Sequence, residues 1–195
     1  MCLHLGRVES SIREIEKELE IKDYIISGNG ASIIDIENNM ELYRNFMSKN
    51  KVLDIIKICN ENSIFCNLYT ENEVITQKLK CNVLYYYYEN KRKPAQNRVN
   101  INIVNDLLKY VSESDVKSYS KITIADDDSC IFGSLMRKIK NIRDIDVLDV
   151  GHMSRKTIID GTKSIDISYN YTEITAKNTN KWSAINFLIN KLRNK

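Results

Sequence analysis

Proline is nearly missing from this 195-residue sequence, which has one at Pro94, and histidine is almost as scarce, with only His4 and His152. Two histidines argue against a histidine-rich metal centre and a double-histidine acid–base mechanism. One proline and six glycines imply well-formed elements joined by few special turns. No apolar run approaches the ~20 residues that span a bilayer, and no basic segment followed by a long apolar core opens the chain. The expectation is a cytoplasmic protein with no membrane partner. The five cysteines (Cys2, Cys59, Cys66, Cys81, Cys130) are scattered, odd in number and free of Cys-x-x-Cys spacing. That disfavours a disulfide framework and a zinc site, so they read as reduced thiols, mostly in the core. Charge imbalance is lacking too: 29 basic against 26 acidic residues give a net +3, with both signs interleaved. Such a balance supplies no strong field for nucleic acid or an anionic membrane.

What the chain does have is regular periodicity. Val8, Ile12, Ile15 and Leu19 recur at helical spacing, so the first helix is expected over Val8 to Leu19. Tyr24–Ile26 and Ala31–Ile36 read as strands on either side of a corner at Asn29-Gly30, and Met40–Phe46 as extended. Ser48 is placed to cap a helix whose buried face carries Val52, Ile55, Ile56 and Cys59. Strands are expected at Ile64–Tyr69 and, because aromatic rings suit a pleated surface, at Leu84–Tyr88, followed by a loop or flap over Glu89–Arg98. Ile101–Tyr110 has helical spacing, Lys121–Ala125 is β-branched, and Ile131–Ile142 is helical through Ile131, Leu135, Met136 and Ile139. Ile145–Val150, Thr157–Ile159, Ile165–Tyr169 and Tyr171–Thr175 read as strands. A last helix from Lys181 is expected to bury Trp182, Ile185, Leu188, Ile189 and Leu192. The middle thus reads as an α+β layer with antiparallel character, inserted between the two ends of a parallel α/β sheet.

Several clusters carry candidate chemistry. Asn and Gly tolerate positive φ, so Asn29-Gly30 is either an ordinary hairpin or a corner with amides exposed at a strand's carboxyl end, where open α/β sheets bind ligands. Gly6-Arg7 stands before the first helix, where amides and a guanidinium can hold a phosphate, or where an arginine is simply solvated. Lys181 opens the last helix, either to neutralise phosphate charge or as a surface lysine. Asp126-Asp127-Asp128 reads as a helix N-terminus complementing the macrodipole, and Asp160-Gly161-Thr162 as a hairpin turn. Tyr85–Tyr88 beside Lys91-Arg92-Lys93 and Arg98 supports an alternative. As a strand it puts Tyr85 and Tyr87 on one face, where two rings beside a basic flap would suit single-stranded nucleic acid in a non-catalytic binding module. The low net charge weighs against that reading.

Taken in order, Leu5-Gly6-Arg7, Ser27-Gly28-Asn29-Gly30-Ala31, and Tyr171-Thr172-Glu173-Ile174-Thr175 with Asn180-Lys181 resemble the motifs of the Cof-type (type IIB cap) phosphatases of the haloacid dehalogenase (HAD) superfamily. The resemblance covers essentially the whole chain. It implies an α/β fold with a partial HAD-like (Rossmannoid) parallel core, residues 1–45 and 169–195, and an inserted α+β cap domain, residues 46–168. It further implies Mg²⁺-dependent hydrolysis of a small phosphorylated metabolite, such as a sugar phosphate or phosphorylated cofactor. Lys181 would neutralise phosphate charge, Gly6, Arg7, Asn29 and Gly30 would contact substrate, and the cap would select the leaving group. The family's aspartyl nucleophile lies in an Asp-x-Asp-Gly-Thr pattern that this sequence lacks, and the late Gly-Asp pair that helps hold Mg²⁺ is lacking as well. No metal ligands are therefore assigned, and the chain alone is expected to be inactive. Leu5 stands where the family has a hydroxyl residue, and leucine cannot donate a hydrogen bond to a phosphoryl oxygen. Exposed edges of a partial core sheet would invite pairing with a second copy.

Overall fold

In the computed structural model, residues 2–4, 19–148 and 153–193 are described. The expected first helix, apart from Leu19, and the Gly6-Arg7 corner lie outside them. The architecture is mixed α/β, built on two sheets. The smaller has the order β1 (Cys2–His4), β2 (Tyr24–Ser27), β3 (Ser32–Asp35), β4 (Met40–Arg44). β1 and β2 are parallel, and β3 and β4 return antiparallel. Ile25 and Ile26 point to opposite faces and both are fully buried, as is Ile33, so the small sheet is covered on both sides. That two-sided burial explains its unbroken apolar runs.

The larger sheet contains β6 (Cys66–Tyr69), β7 (Glu73–Thr76), β8 (Asn100–Ile103), β10 (Lys121–Asp126), β11 (Ile145–Val147), β12 (Ser154–Asp160) and β13 (Lys163–Ala176). Its path is β11-β13-β10-β6-β7-β8, with β12 also on β13; every pairing is antiparallel except β7 with β8. Two short strands, β5 (Met47–Ser48) and β9 (Ser118–Tyr119), pair separately.

Along β10, Ile122 and Ile124 enter the main core, while Lys121, Thr123 and Ala125 face the other way. The core side is covered by α1 (Lys49–Glu61), α3 (Leu107–Glu113) and α4 (Ser129–Ile139). On α1 the buried residues are Val52, Ile55, Ile56 and Cys59, the face its spacing predicts. Ser48 caps this helix, its Oγ accepting from Lys51 N at 3.4 Å. Ser48→Ala is expected to lower stability by about 1 kcal/mol, read as a shift of the urea midpoint with unchanged slope.

The opposite side is covered by α2 (Cys81–Arg92), and here the sequence reading needs correction. The expected Leu84–Tyr88 strand is helical. Strand propensity is a packing preference, and packing decides otherwise: Cys81, Asn82 and Val83 anchor the first turn, and Lys91 and Arg92 complement the dipole in the last. Tyr85 and Tyr87 therefore do not share a strand face. Lys156 Nζ lies 4.4 Å from the Tyr85 ring centroid, and Lys91 Nζ 4.3 Å from that of Tyr88. The helix also runs through Arg92 into what reads as a flap, and Pro94 introduces a short 3₁₀ turn at Ala95–Asn97.

Ile101–Tyr110 is likewise divided. β8 takes its start, and Asp106 opens α3 by accepting from Lys109 N at 2.9 Å. Asp128 caps α4 through Cys130 N and Ile131 N, as the acidic cluster suggests. Asp160-Gly161-Thr162 is a hairpin turn, with Asp160 paired to Lys163 and Gly161 at φ +61°.

Two expected strands merge into β13, which runs unbroken for 14 residues. A division at 168/169 would cut it in half, whereas its pairing with β10, β11 and β12 keeps all of it in the larger sheet. The chain returns to the small sheet only after Ala176. There α5 (Lys181–Arg193) packs Ala184 and Leu188 on Ile26 and Ile33. Of the side chains expected to be buried on α5, Trp182 is 68% exposed, and Ile189 and Leu192 are exposed as well.

Candidate functional site

The corner after β2 reverses the chain over residues 28–31, between the paired Ser27 and Ser32, rather than over two residues. Gly28, Asn29 and Gly30 all have positive φ, at 56°, 61° and 102°. Gly30 N and Ala31 N both donate to Ser27 O at 3.0 Å, which closes the turn and leaves Asn29 at its tip.

That tip faces the point where β13 hands the chain to α5. A Cβ on Gly30 would lie 2.3 Å from Asn180 O, so the corner and the start of α5 touch backbone to backbone. Asn29 Nδ2 donates to Glu173 Oε2 on β13. On the other side, Asn45 Nδ2 donates to Lys177 O and Thr179 Oγ1, both at 2.9 Å, and ties the end of β4 to the same loop. Asp146 on β11 fixes the loop from below, accepting from Asn178 N at 2.8 Å and pairing with Lys177 Nζ at 3.2 Å.

These elements enclose a cleft of about 610 Å³. Asn29 comes from the corner, Asp146, Val147 and Leu148 from β11 and its exit, and Glu173 and Thr175 from β13. The start of α5 supplies Asn180, Lys181 and Trp182. Asn29 and Lys181, 152 positions apart in sequence, thus line one cleft. Gly6 and Arg7 lie outside the described residues.

Glu173 is the electrostatic centre of the cleft floor. Its Oε1 accepts from Lys121 Nζ at 2.8 Å, with the two side chains only 4% and 12% exposed. The Tyr171 hydroxyl donates to the same oxygen. Burial, and then the neighbouring Glu173 charge, push the Tyr171 phenol far above its ordinary range, so it stays a donor. Lys121 Nζ also sits 4.8 Å from the Tyr69 ring centroid, and burial raises the Tyr69 phenol well above its usual value. The carboxylate is thereby satisfied from three directions and is built to hold Asn29 in place.

Lys181 contrasts with it. Among the described residues its ammonium has no hydrogen-bond or ion-pair partner, and it stands in the first turn of a 13-residue helix, where the macrodipole is positive. Asn180 caps that helix, its Oδ1 accepting from Ser183 N at 2.9 Å. Chemically the arrangement is suited to an anion: a free cation, a helix N-terminus, and an amide corner braced by a buried ion pair.

Sequence reasoning assigned no site role to Glu173, Lys121 or Trp182. A signal for Lys121 existed, since it takes the inward-facing alternate position with Thr123 and Ala125 on a β-branched strand. For Trp182 the helical period misled, because α5 buries a narrower face than the period implies.

No helix among the described residues is long and apolar enough to cross a membrane. A comparison with curated protein sequences finds no match. Solved structures do match in fold. A haloacid dehalogenase-like hydrolase from B. subtilis superposes with a TM-score of 0.70 at 15% identity, covering 98% of this chain and 66% of its own. One from Bacteroides thetaiotaomicron gives 0.67 at 19% identity, with 98% and 64% covered. A HAD subclass IIB sugar phosphatase gives 0.63 at 13% identity, with 98% and 62% covered. The chain therefore spans 62–66% of the length of these three structures. The sequence profile of the haloacid dehalogenase-like hydrolases matches residues 2–195. With that match over nearly every residue, and the same fold in the solved structures, the chain belongs to the haloacid dehalogenase-like hydrolase family.

Proposed function

We propose that this chain carries the substrate-holding part of a phosphatase for small phosphate monoesters, with the phosphate at the Asn29–Lys181 end of the cleft. The observation that carries this reading is the unpartnered Lys181 ammonium in the first turn of α5, facing the same space as Asn29. The ammonium and the helix N-terminus neutralise phosphate charge, and the corner supplies polar contacts. Gly6 and Arg7 belong to the same proposal by resemblance. The inserted larger sheet and its helices then act as the cap that chooses the leaving group.

Phosphotransferases of this superfamily generally use Mg²⁺. The described residues do not fit that ion: none of them form a group of three or more His, Cys, Asp or Glu side chains able to hold a metal. The two carboxylates of the cleft, Asp146 and Glu173, are already bound to Lys177, Asn178, Lys121, Tyr171 and Asn29. Because the sequence lacks the Asp-x-Asp-Gly-Thr pattern, we further propose that these 195 residues bind substrate without turning it over.

Calorimetric titration with inorganic phosphate tests the reading. Saturable binding is expected, weakened about tenfold or more by Lys181→Met, since charge-assisted contacts are worth that much. Unchanged binding in the variant would remove Lys181 from the site. In parallel, an aryl phosphate with Mg²⁺ should give no turnover; saturable turnover would overturn the proposed inactivity.

A further inference from the structure

Trp182 is the sole tryptophan of the chain, and it lies 68% exposed at the cleft, immediately after Lys181. Among the described residues, the indole has no aromatic, cationic or hydrogen-bonding partner. Leu148, 51% exposed, lines the same cleft from the end of β11, and Val147 lies beside it. The cleft lining therefore combines polar residues, Asn29 and Lys181 among them, with the exposed apolar side chains of Trp182 and Leu148.

Several of the polar groups that a sugar ring would need are already engaged. Both Glu173 oxygens accept hydrogen bonds, Oε1 from Lys121 and Tyr171, and Oε2 from Asn29. Asp146 is held by Lys177 and Asn178. Thr175 Oγ1 donates to Thr179 O, and Thr179 Oγ1 accepts from Asn45. A ligand body ringed with hydroxyls would find part of the polar lining already committed and would replace only part of its hydration. A flat body with apolar faces would lose little and would gain the indole surface.

We propose that the cleft takes phosphate esters whose leaving group bears an aromatic or heteroaromatic ring, with Trp182 as the platform for that ring. The inference rests on the reading that Lys181 marks the phosphate end. Phenyl phosphate, glycerol 3-phosphate and inorganic phosphate are the probes, with affinities from calorimetry and tryptophan emission reporting on Trp182 alone. Phenyl phosphate is expected to bind about tenfold tighter than glycerol 3-phosphate, the size of one good ring–ring contact, and to change the emission saturably. Trp182→Ala should bring phenyl phosphate down to the affinity of glycerol 3-phosphate, and Trp182→Phe should keep most of the preference. The side chain is exposed, so neither variant threatens the fold.

Equal affinities for the two esters in the natural chain, or a preference that survives Trp182→Ala, would overturn the platform. Failure of the underlying reading looks different. If inorganic phosphate does not bind while the phenyl preference persists, the phosphate assignment falls and the platform stands. If no probe binds, both fall.

Discussion

Glu173→Leu is expected to destabilise the protein by about 3–5 kcal/mol, because it leaves the ammonium of Lys121, only 4% exposed, without its carboxylate. A buried pair gains little over an apolar replacement of both members, since desolvation offsets most of the Coulombic attraction. Breaking it from one side is another matter: the remaining charge keeps its desolvation cost and loses its counter-charge, with the Tyr69 ring offsetting only part of it. The same reasoning makes Lys121→Met costly, although Tyr171 and Asn29 still donate to Glu173 and soften the loss. The double variant Lys121→Met with Glu173→Leu should recover most of the stability. For a chain of this size each kcal/mol shifts the melting temperature by about 2–4 °C, so the Glu173 variant should melt roughly 10 °C lower. Urea unfolding of the four members of the cycle gives the coupling directly. Single variants within about 1 kcal/mol of the natural chain would mean that the pair is not the brace of the cleft floor.

How much of this could be read from the chain itself depended on whether local pattern and tertiary packing agreed. The α1 face was legible because Ser48, Val52, Ile55, Ile56 and Cys59 satisfy cap and period together, and the sheet they cover asks for the same stripe. The small-sheet strands were legible because burial on both faces leaves no room for polar residues at Ile25, Ile26, Ile33 and Ile34. The tyrosine run was misread for the opposite reason. Its rings pack on Lys91 of α2 itself, at the helical spacings i+4 and i+3 that a strand reading passes over, and on Lys156 of β12, a contact with no local period. β13 reads as two strands, Ile165–Tyr169 and Tyr171–Thr175, with Asn170 left between them, yet the Asn170 side chain donates to Asp126 O at 3.1 Å and stays within the sheet. At the site, Asn29 and Lys181 were legible as residue types suited to an anion. Their meeting was implied only by the family resemblance and not by local pattern, since it depends on Gly30 touching Asn180 and on a carboxylate whose partner, Lys121, lies 52 residues away.

Gly30→Ala should cost about 4 kcal/mol, the sum of two separate effects. The first is conformational: at φ +102° an L side chain is strained, at roughly 1–3 kcal/mol. The second is steric, because the added Cβ would lie 2.3 Å from Asn180 O and 2.6 Å from Asn180 C, which are backbone atoms and cannot rotate away. Relief requires the hairpin and the start of α5 to separate, an overpacking cost of about 1–3 kcal/mol. Gly161→Ala isolates the first effect, since that glycine also has positive φ, +61°, but nothing lies within 4 Å of its added Cβ. It should cost only about 1–2 kcal/mol. The difference between the two variants measures how tightly the corner is pressed onto α5. It also has a functional reading: separating the hairpin from Asn180 moves Asn29 away from Lys181, so Gly30→Ala should weaken phosphate binding while Gly161→Ala should not. Equal destabilisation by the two substitutions would show that the corner is strained on its own account. The close approach that builds the cleft would then carry no energy.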